Sequence, residues 1–102
     1  MLDNAGFKDL RNYIKRRVNY ARYRVGSTYY KTALSEVKIL NNGTVRAQLT
    51  ITATGSTITV TRVELYNSDN ELWAHQDCNI KLTPGQTGIL FWFDFAMREE
   101  ES

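Results

Sequence analysis

The chain reads as a mainly β protein: a small antiparallel β-sandwich preceded by one basic amphipathic helix. Three observations predict this. Residues 44–52 alternate without a break, with Val45, Ala47, Leu49 and Ile51 on one face and Arg46, Gln48, Thr50 and Thr52 on the other, which is the period of a half-buried strand. Turn clusters recur at short spacing, at Asn41-Asn42-Gly43, Asn67-Ser68-Asp69-Asn70 and Pro84-Gly85, so the strands are short and antiparallel. Before Gly26 the apolar residues instead recur every three or four positions, at Phe7, Leu10, Ile14, Val18, Ala21 and Val25, which is a helical period.

With 102 residues, 42% of them hydrophobic, the chain makes one domain with a modest core. The expected organisation is a helical arm and connection over residues 1–31, the sandwich over 32–98 and an acidic tail over 99–102. Charge divides along the same line. Residues 1–31 hold eight Lys and Arg against Asp3 and Asp9, whereas residues 32–102 hold five bases against nine acids. A basic arm precedes an acidic body. The single cysteine excludes an intramolecular disulfide, and no apolar run approaches the roughly 18–20 residues of a membrane span. The first ten residues are polar and charged rather than a signal-peptide core, so synthesis in a reducing cytoplasm is expected.

Asp3 or Asn4 is placed to cap a helix over residues 5–25 that stops at Gly26. Its stripe at 7, 10 and 14 repeats at 18, 21 and 25, which keeps one face toward a partner with little supercoil. That partner is either the protein's own sheet or another copy or neighbouring protein. Tyr13, Arg16, Arg17, Tyr20, Tyr23 and Arg24 flank the stripe and form the candidate interface, being residue types that interfaces favour. Residues 29–33 are expected to be an extended connection.

Strands follow at 37–40 and 44–52. They are joined by Asn41-Asn42-Gly43, whose Asn-Gly pair suits the positive φ values of a type I′ turn. After a turn at 53–56, residues 57–78 read as a hairpin. Ile58 and Val60 fall on one parity and Val63 and Leu65 on the other, so a bulge near Thr61-Arg62 is required for both pairs to face one core. The return strand alternates Leu72, Ala74, Gln76 and Cys78 with Trp73, His75 and Asp77. The last strand, residues 88–97, sets Ile89, Phe91, Phe93, Phe95 and Met97 on one face and Leu90, Trp92, Asp94 and Ala96 on the other. Apolar on both faces, it is expected to be central or covered and to contribute most to stability.

Site chemistry is sparse. His75 shares a strand face with Asp77, but no serine, cysteine or third group completes a proton-transfer set. Cys78 reads as a half-buried strand residue. No Cys/His spacing suits zinc, and no glycine-rich loop precedes a helix to cradle phosphate. Asp69, Glu71 and Asp77 are the only candidates for calcium, and their turn needs no ion to form. No catalytic residue, cofactor or metal is therefore expected. The basic helix admits phosphate contacts with nucleic acid, although its charges are spread around the helix. Trp73, Tyr66 and Trp92 are the candidates for stacking on sugar rings in a carbohydrate- or surface-binding module.

The segment Ile58-Thr59-Val60-Thr61-Arg62-Val63-Glu64-Leu65-Tyr66-Asn67-Ser68-Asp69-Asn70-Glu71-Leu72-Trp73-Ala74 resembles small β-domains of bacteriophage tail, fibre and baseplate proteins. In those domains a strand ending in Leu-Tyr is followed by an Asn/Asp turn and a return strand beginning with Leu; Asn70 stands where they usually carry glycine. Gly88-Ile89-Leu90-Phe91-Trp92-Phe93-Asp94-Phe95 is similar to their aromatic closing strand. Together the two segments cover roughly a third of the chain. The resemblance implies a non-enzymatic virion structural protein of the tail, baseplate or fibre attachment region, a homo-oligomer contacting its own copies and neighbouring virion proteins. A head-decoration protein has the same sequence features.

Overall fold

The computed structural model describes residues 3–96. One helix, α1 (Asn4–Arg17), precedes seven strands: β1 (Val18–Val25), β2 (Thr28–Ala33), β3 (Glu36–Ile39), β4 (Val45–Ile51), β5 (Ile58–Asn67), β6 (Leu72–Leu82) and β7 (Ile89–Phe95). A four-stranded sheet of order β2-β1-β5-β6 faces a three-stranded sheet of order β3-β4-β7, and all the pairings are antiparallel. The fold is the predicted one, mainly β with an N-terminal helix. Met97 and the acidic end at 99–102 lie outside the described residues.

The helix is shorter than its periodicity predicts. The Val18 N–H closes the last turn onto the Ile14 carbonyl, and Val18 itself is already extended at φ −69°, ψ 134°. Residues 18–25 then run as β1 between β2 and β5, so the sandwich begins at Val18 rather than at residue 32. A bulge explains the misleading pattern. The β1–β5 register shifts between Val18 and Tyr20, which brings Val18 and Ala21 to the same core although they stand three apart. Valine and tyrosine also fit a pleated sheet better than a helix, and a strand here hydrogen-bonds on both sides. Val25 and Thr28 pair across Gly26-Ser27, where Gly26 takes φ 62°, the first-position glycine of a type II′ hairpin. The expected connection at 29–33 is therefore edge strand β2.

The predicted bulge near Thr61-Arg62 is present. The β1–β5 register shifts between Arg24↔Arg62 and Val25↔Val60, leaving Thr61 as the extra residue, and Val60, Val63 and Leu65 are all fully buried. The Asn67–Asn70 turn closes the same hairpin. Asn67 Oδ1 accepts the N–H groups of Asp69 and Glu71 at 2.9 and 3.0 Å, and Asn70 takes the left-handed φ of 63° that glycine otherwise supplies. The β3–β4 turn departs from type I′. Leu40 N–H bonds the Thr44 carbonyl across three residues, and Gly43 is the one of them with positive φ.

Ala47, Leu49 and Ile51 of β4 meet Val60, Val63 and Leu65 of β5 in the core, with Leu82 and Phe93 beside them, and Val45 is fully buried as well. The central strands thus supply most of the fully buried side chains. β7, expected to be central or covered, is an edge strand: Phe93 is buried, Ile89, Phe91 and Phe95 are half-buried, and Leu90 and Trp92 are exposed. Pairing with β4 from Val45↔Phe95 to Ile51↔Ile89 points its alternate residues inward, but no strand covers the outer face among the described residues.

Helix α1 sits by the β3–β4 and β5–β6 turns. The Arg11 guanidinium occupies the space that a side chain at Gly43 would fill, and its Nε donates to the Gly43 carbonyl at 2.9 Å. Arg17 donates to Ser68 Oγ at 3.2 Å and Asp69 Oδ2 at 2.8 Å, and its carbonyl accepts the Ser68 N–H. Ile14 is the helical side chain that packs against the core cluster.

Candidate functional site

The six candidate interface residues divide between two elements. Tyr13 and Arg16 lie on α1, with the Arg16 guanidinium 5.6 Å from the Tyr13 ring centre. Arg17, at the end of α1, is turned inward onto the β5–β6 turn. Tyr20, Tyr23 and Arg24 belong to β1 instead, and strand geometry sends them to opposite faces. Tyr20 and Arg24 face outward with Arg22, while Tyr23 packs against the core cluster. One continuous helical surface from Tyr13 to Arg24 therefore does not form.

The outer face of the four-stranded sheet is a closed polar and aromatic network. Tyr20 stacks on Tyr66 with ring centres 5.0 Å apart, and Lys31 Nζ lies 4.3 Å over Tyr20. The Arg22 guanidinium lies between Tyr29 and Tyr66, at 4.6 and 4.8 Å from their ring centres. At the centre Glu64, only 4% exposed, accepts from Arg22 at 3.1 Å, Arg62 at 3.0 Å and the Tyr66 hydroxyl at 2.9 Å. Arg24 donates to Thr61 Oγ1 at 3.0 Å, which ties β1 to the bulge. These contacts engage Tyr20 and Arg24 within the subunit.

Burial alone would push the Glu64 carboxyl up, but the hydrogen bonds from Tyr66, Arg22 and Arg62 together outweigh it and hold the group below the usual carboxylate range. The bidentate pair with Arg46, at 2.8 Å for both bonds, lowers Asp94 in the same direction against a smaller opposing effect of burial. A carboxylate depressed on folding stabilises the native state above its unfolded value, about 4.3 for Glu, and loses that contribution as pH falls through the lower folded value. Urea midpoints should therefore hold steady from neutral pH down to about pH 5 and then fall. Glu64→Gln should flatten the acid limb in the same titration. An acid limb unchanged in Glu64→Gln would remove Glu64 from this role.

The remaining candidates are accounted for singly. His75 is exposed on β6 opposite Glu64, and Asp77 faces Arg62 at 3.6 Å. Burial, reinforced by Asp77, pushes the Cys78 thiol up, and its Sγ lies 3.5 Å from the Val60 carbonyl, so little thiolate forms near neutral pH. Asp69 pairs with Arg17 and Glu71 accepts from Asn67, so the three carboxylates considered for calcium have separate partners. Among the described residues no three His, Cys, Asp or Glu gather as a metal site, and no helix is long and apolar enough to cross a membrane. Of the aromatics proposed for sugar stacking, Tyr66 is buried under Tyr20 and Trp73 packs edge-on against Phe95 at 6.2 Å; Trp92 is exposed, with Arg46 4.8 Å over its ring.

Helix α1 is different in kind from the sheet. None of its residues is buried, and Leu10 and Tyr13 are 45% and 46% exposed, so two large side chains of an amphipathic surface are only about half covered within the subunit. It carries Lys8, Arg11, Lys15, Arg16 and Arg17 against Asp9. No family model, no curated protein and no solved structure matches the chain.

Proposed function

We propose that the chain is a non-enzymatic structural module of a tailed-phage particle, in the tail, baseplate or fibre attachment region, that assembles with further copies of itself through α1. The observation that carries the assembly reading is a fourteen-residue amphipathic helix with no buried residue. A helix this short is marginal in isolation, and burying its apolar face is what ordinarily stabilises it. The occupant that fits is the acidic body of the next copy. Lys8, Lys15 and Arg16 of the helix, which have no ion pair among the described residues, complement an excess of acids beyond residue 31, of which Asp77 is well exposed. A helix meeting a different surface of its neighbour makes a head-to-tail contact, and such contacts build rings or open filaments. The phage assignment rests on the resemblance of residues 58–74 and 88–95, and synthesis in the host cytoplasm with final residence in the virion follows from it.

Light scattering tests the assembly. The purified chain should give a mass that is a multiple of the 11.8 kDa protomer, falling with added salt. Replacing Leu10 and Tyr13 together by glutamine keeps good helix formers and removes the apolar cover, so the variant should run as a folded monomer. A wild-type monomer at every concentration and salt would sink the proposal, as would a DNA mobility shift that the same double variant abolishes.

A further inference from the structure

On the β1–β2 side of the sandwich lies a cleft of about 330 Å³ lined by Tyr23, Val25, Tyr30, Thr54, Ser56 and Ile58. Tyr23 and Tyr30 are direct cross-strand partners, their rings stacked at 5.5 Å with 24° between planes, and Tyr30 remains 48% exposed. Val25 and Ile58 are apolar lining where the sheet meets the core. The loop beside them is held by Thr54, whose hydroxyl donates to the Ser56 carbonyl at 2.9 Å and accepts the Ser56 N–H at 3.4 Å.

Two features narrow the ligand. In a chain with 24% charged residues, no Asp, Glu, Lys or Arg lines the cleft. Among the described residues, the hydroxyls of Tyr23, Tyr30 and Ser56 make no hydrogen bond within the protein, whereas the Thr54 hydroxyl is already engaged. The cleft therefore offers aromatic and aliphatic surface at its base and uncommitted donor-acceptor hydroxyls around it. An anion would find no counter-charge here, and a purely apolar ligand would leave the hydroxyls unpaired. A ring with one C–H face and several hydroxyls satisfies both requirements, and the volume lies at the small end of the range for small-molecule sites.

We propose that this cleft binds a neutral pyranose, its C–H face against the Tyr23–Tyr30 pair and its hydroxyls bonded to Ser56 and the tyrosine hydroxyls. The site lies on the β2 side of the sandwich and uses none of the exposed α1 residues, so it stands or falls independently of helix-mediated assembly. An open cleft with few polar partners binds a single ring weakly, at about 1–10 mM.

The test is a ¹⁵N chemical-shift titration of the full chain with the methyl glycosides of glucose, galactose, mannose and N-acetylglucosamine, and with glucuronate as the charged arm. Maltotriose and chitotriose distinguish a terminal or free sugar from a stretch of surface glycan. At least one neutral glycoside should shift the amides of Val25, Tyr30, Thr54 and Ser56 saturably, and glucuronate should bind more weakly. Tyr30→Leu, which keeps an apolar side chain at an exposed edge position, should weaken binding at least about tenfold. Tyr30→Phe, which retains the ring and removes one hydrogen bond, should weaken it only about two- to tenfold. No saturable shift at these amides up to about 50 mM of any neutral glycoside would overturn the proposal. Binding undiminished in a folded Tyr30→Leu protein, or glucuronate binding as tightly, would also overturn it.

Discussion

Deleting residues 1–26 should abolish folding, and deleting residues 1–16 should not. The longer cut removes β1, which lies between β2 and β5. With it go the buried Val18 and Ala21, the Arg22 and Tyr20 contacts to Glu64 and Tyr66, and every hydrogen bond of β2 to the sheet. It leaves Glu64 buried with one fewer cation and exposes the β5 edge. The shorter cut removes a helix with no buried residue and retains Arg17 with its bonds to Ser68 and Asp69. Its loss is the partly buried Ile14 and the Arg11–Gly43 bond, together about 2 kcal/mol. Circular dichroism with thermal melting separates the outcomes. A cooperative melt from the chain lacking residues 1–26 would mean that β1 is dispensable.

Phe93→Ala should destabilise the domain by about 3 kcal/mol, the lower part of the range for a core aromatic, because one edge of β7 is open. Phe93 pairs with Ala47 across the sheet and meets Phe91 edge-on at 5.5 Å, so the small residue opposite it cannot fill the space. In a domain of this size the melting temperature should fall by about 10–20 °C. Leu90 and Trp92 on the other face of β7 are exposed, and alanine there should change stability far less. A loss under about 1 kcal/mol for Phe93→Ala in a urea titration would contradict the inward assignment.

Strands with one residue facing in and the next facing out were legible in the sequence, and so was the bulge at Thr61, because the parity of Val60 and Val63 conflicts unless a residue is inserted. The same device defeated the reading at Val18. There a bulge makes a strand imitate the three-and-four spacing of a helix, and the preceding α1 supplies the matching phase. Tyrosine, valine and the Gly26-Ser27 turn were the available counter-signals. β7 misled in another way: its apolar outer residues Leu90 and Trp92 suggested cover, whereas they mark an open face. The cleft was invisible because Tyr23 was assigned to a helix and Tyr30 to a connection, and only the β1–β2 hairpin brings them side by side.

The central position of β1 also bears on how the chain reaches its fold. Its partners run from Val18↔Asn67 to Val25↔Val60, separations that give the larger sheet a high contact order, and such topologies fold on the slower millisecond-to-second scale. During synthesis the β1–β2 hairpin can form early, but its inner edge waits for β5 to emerge. In that interval Arg22 and Arg24 stand along the open edge, and their like charges disfavour the edge-to-edge pairing of nascent copies that an uncharged strand would invite.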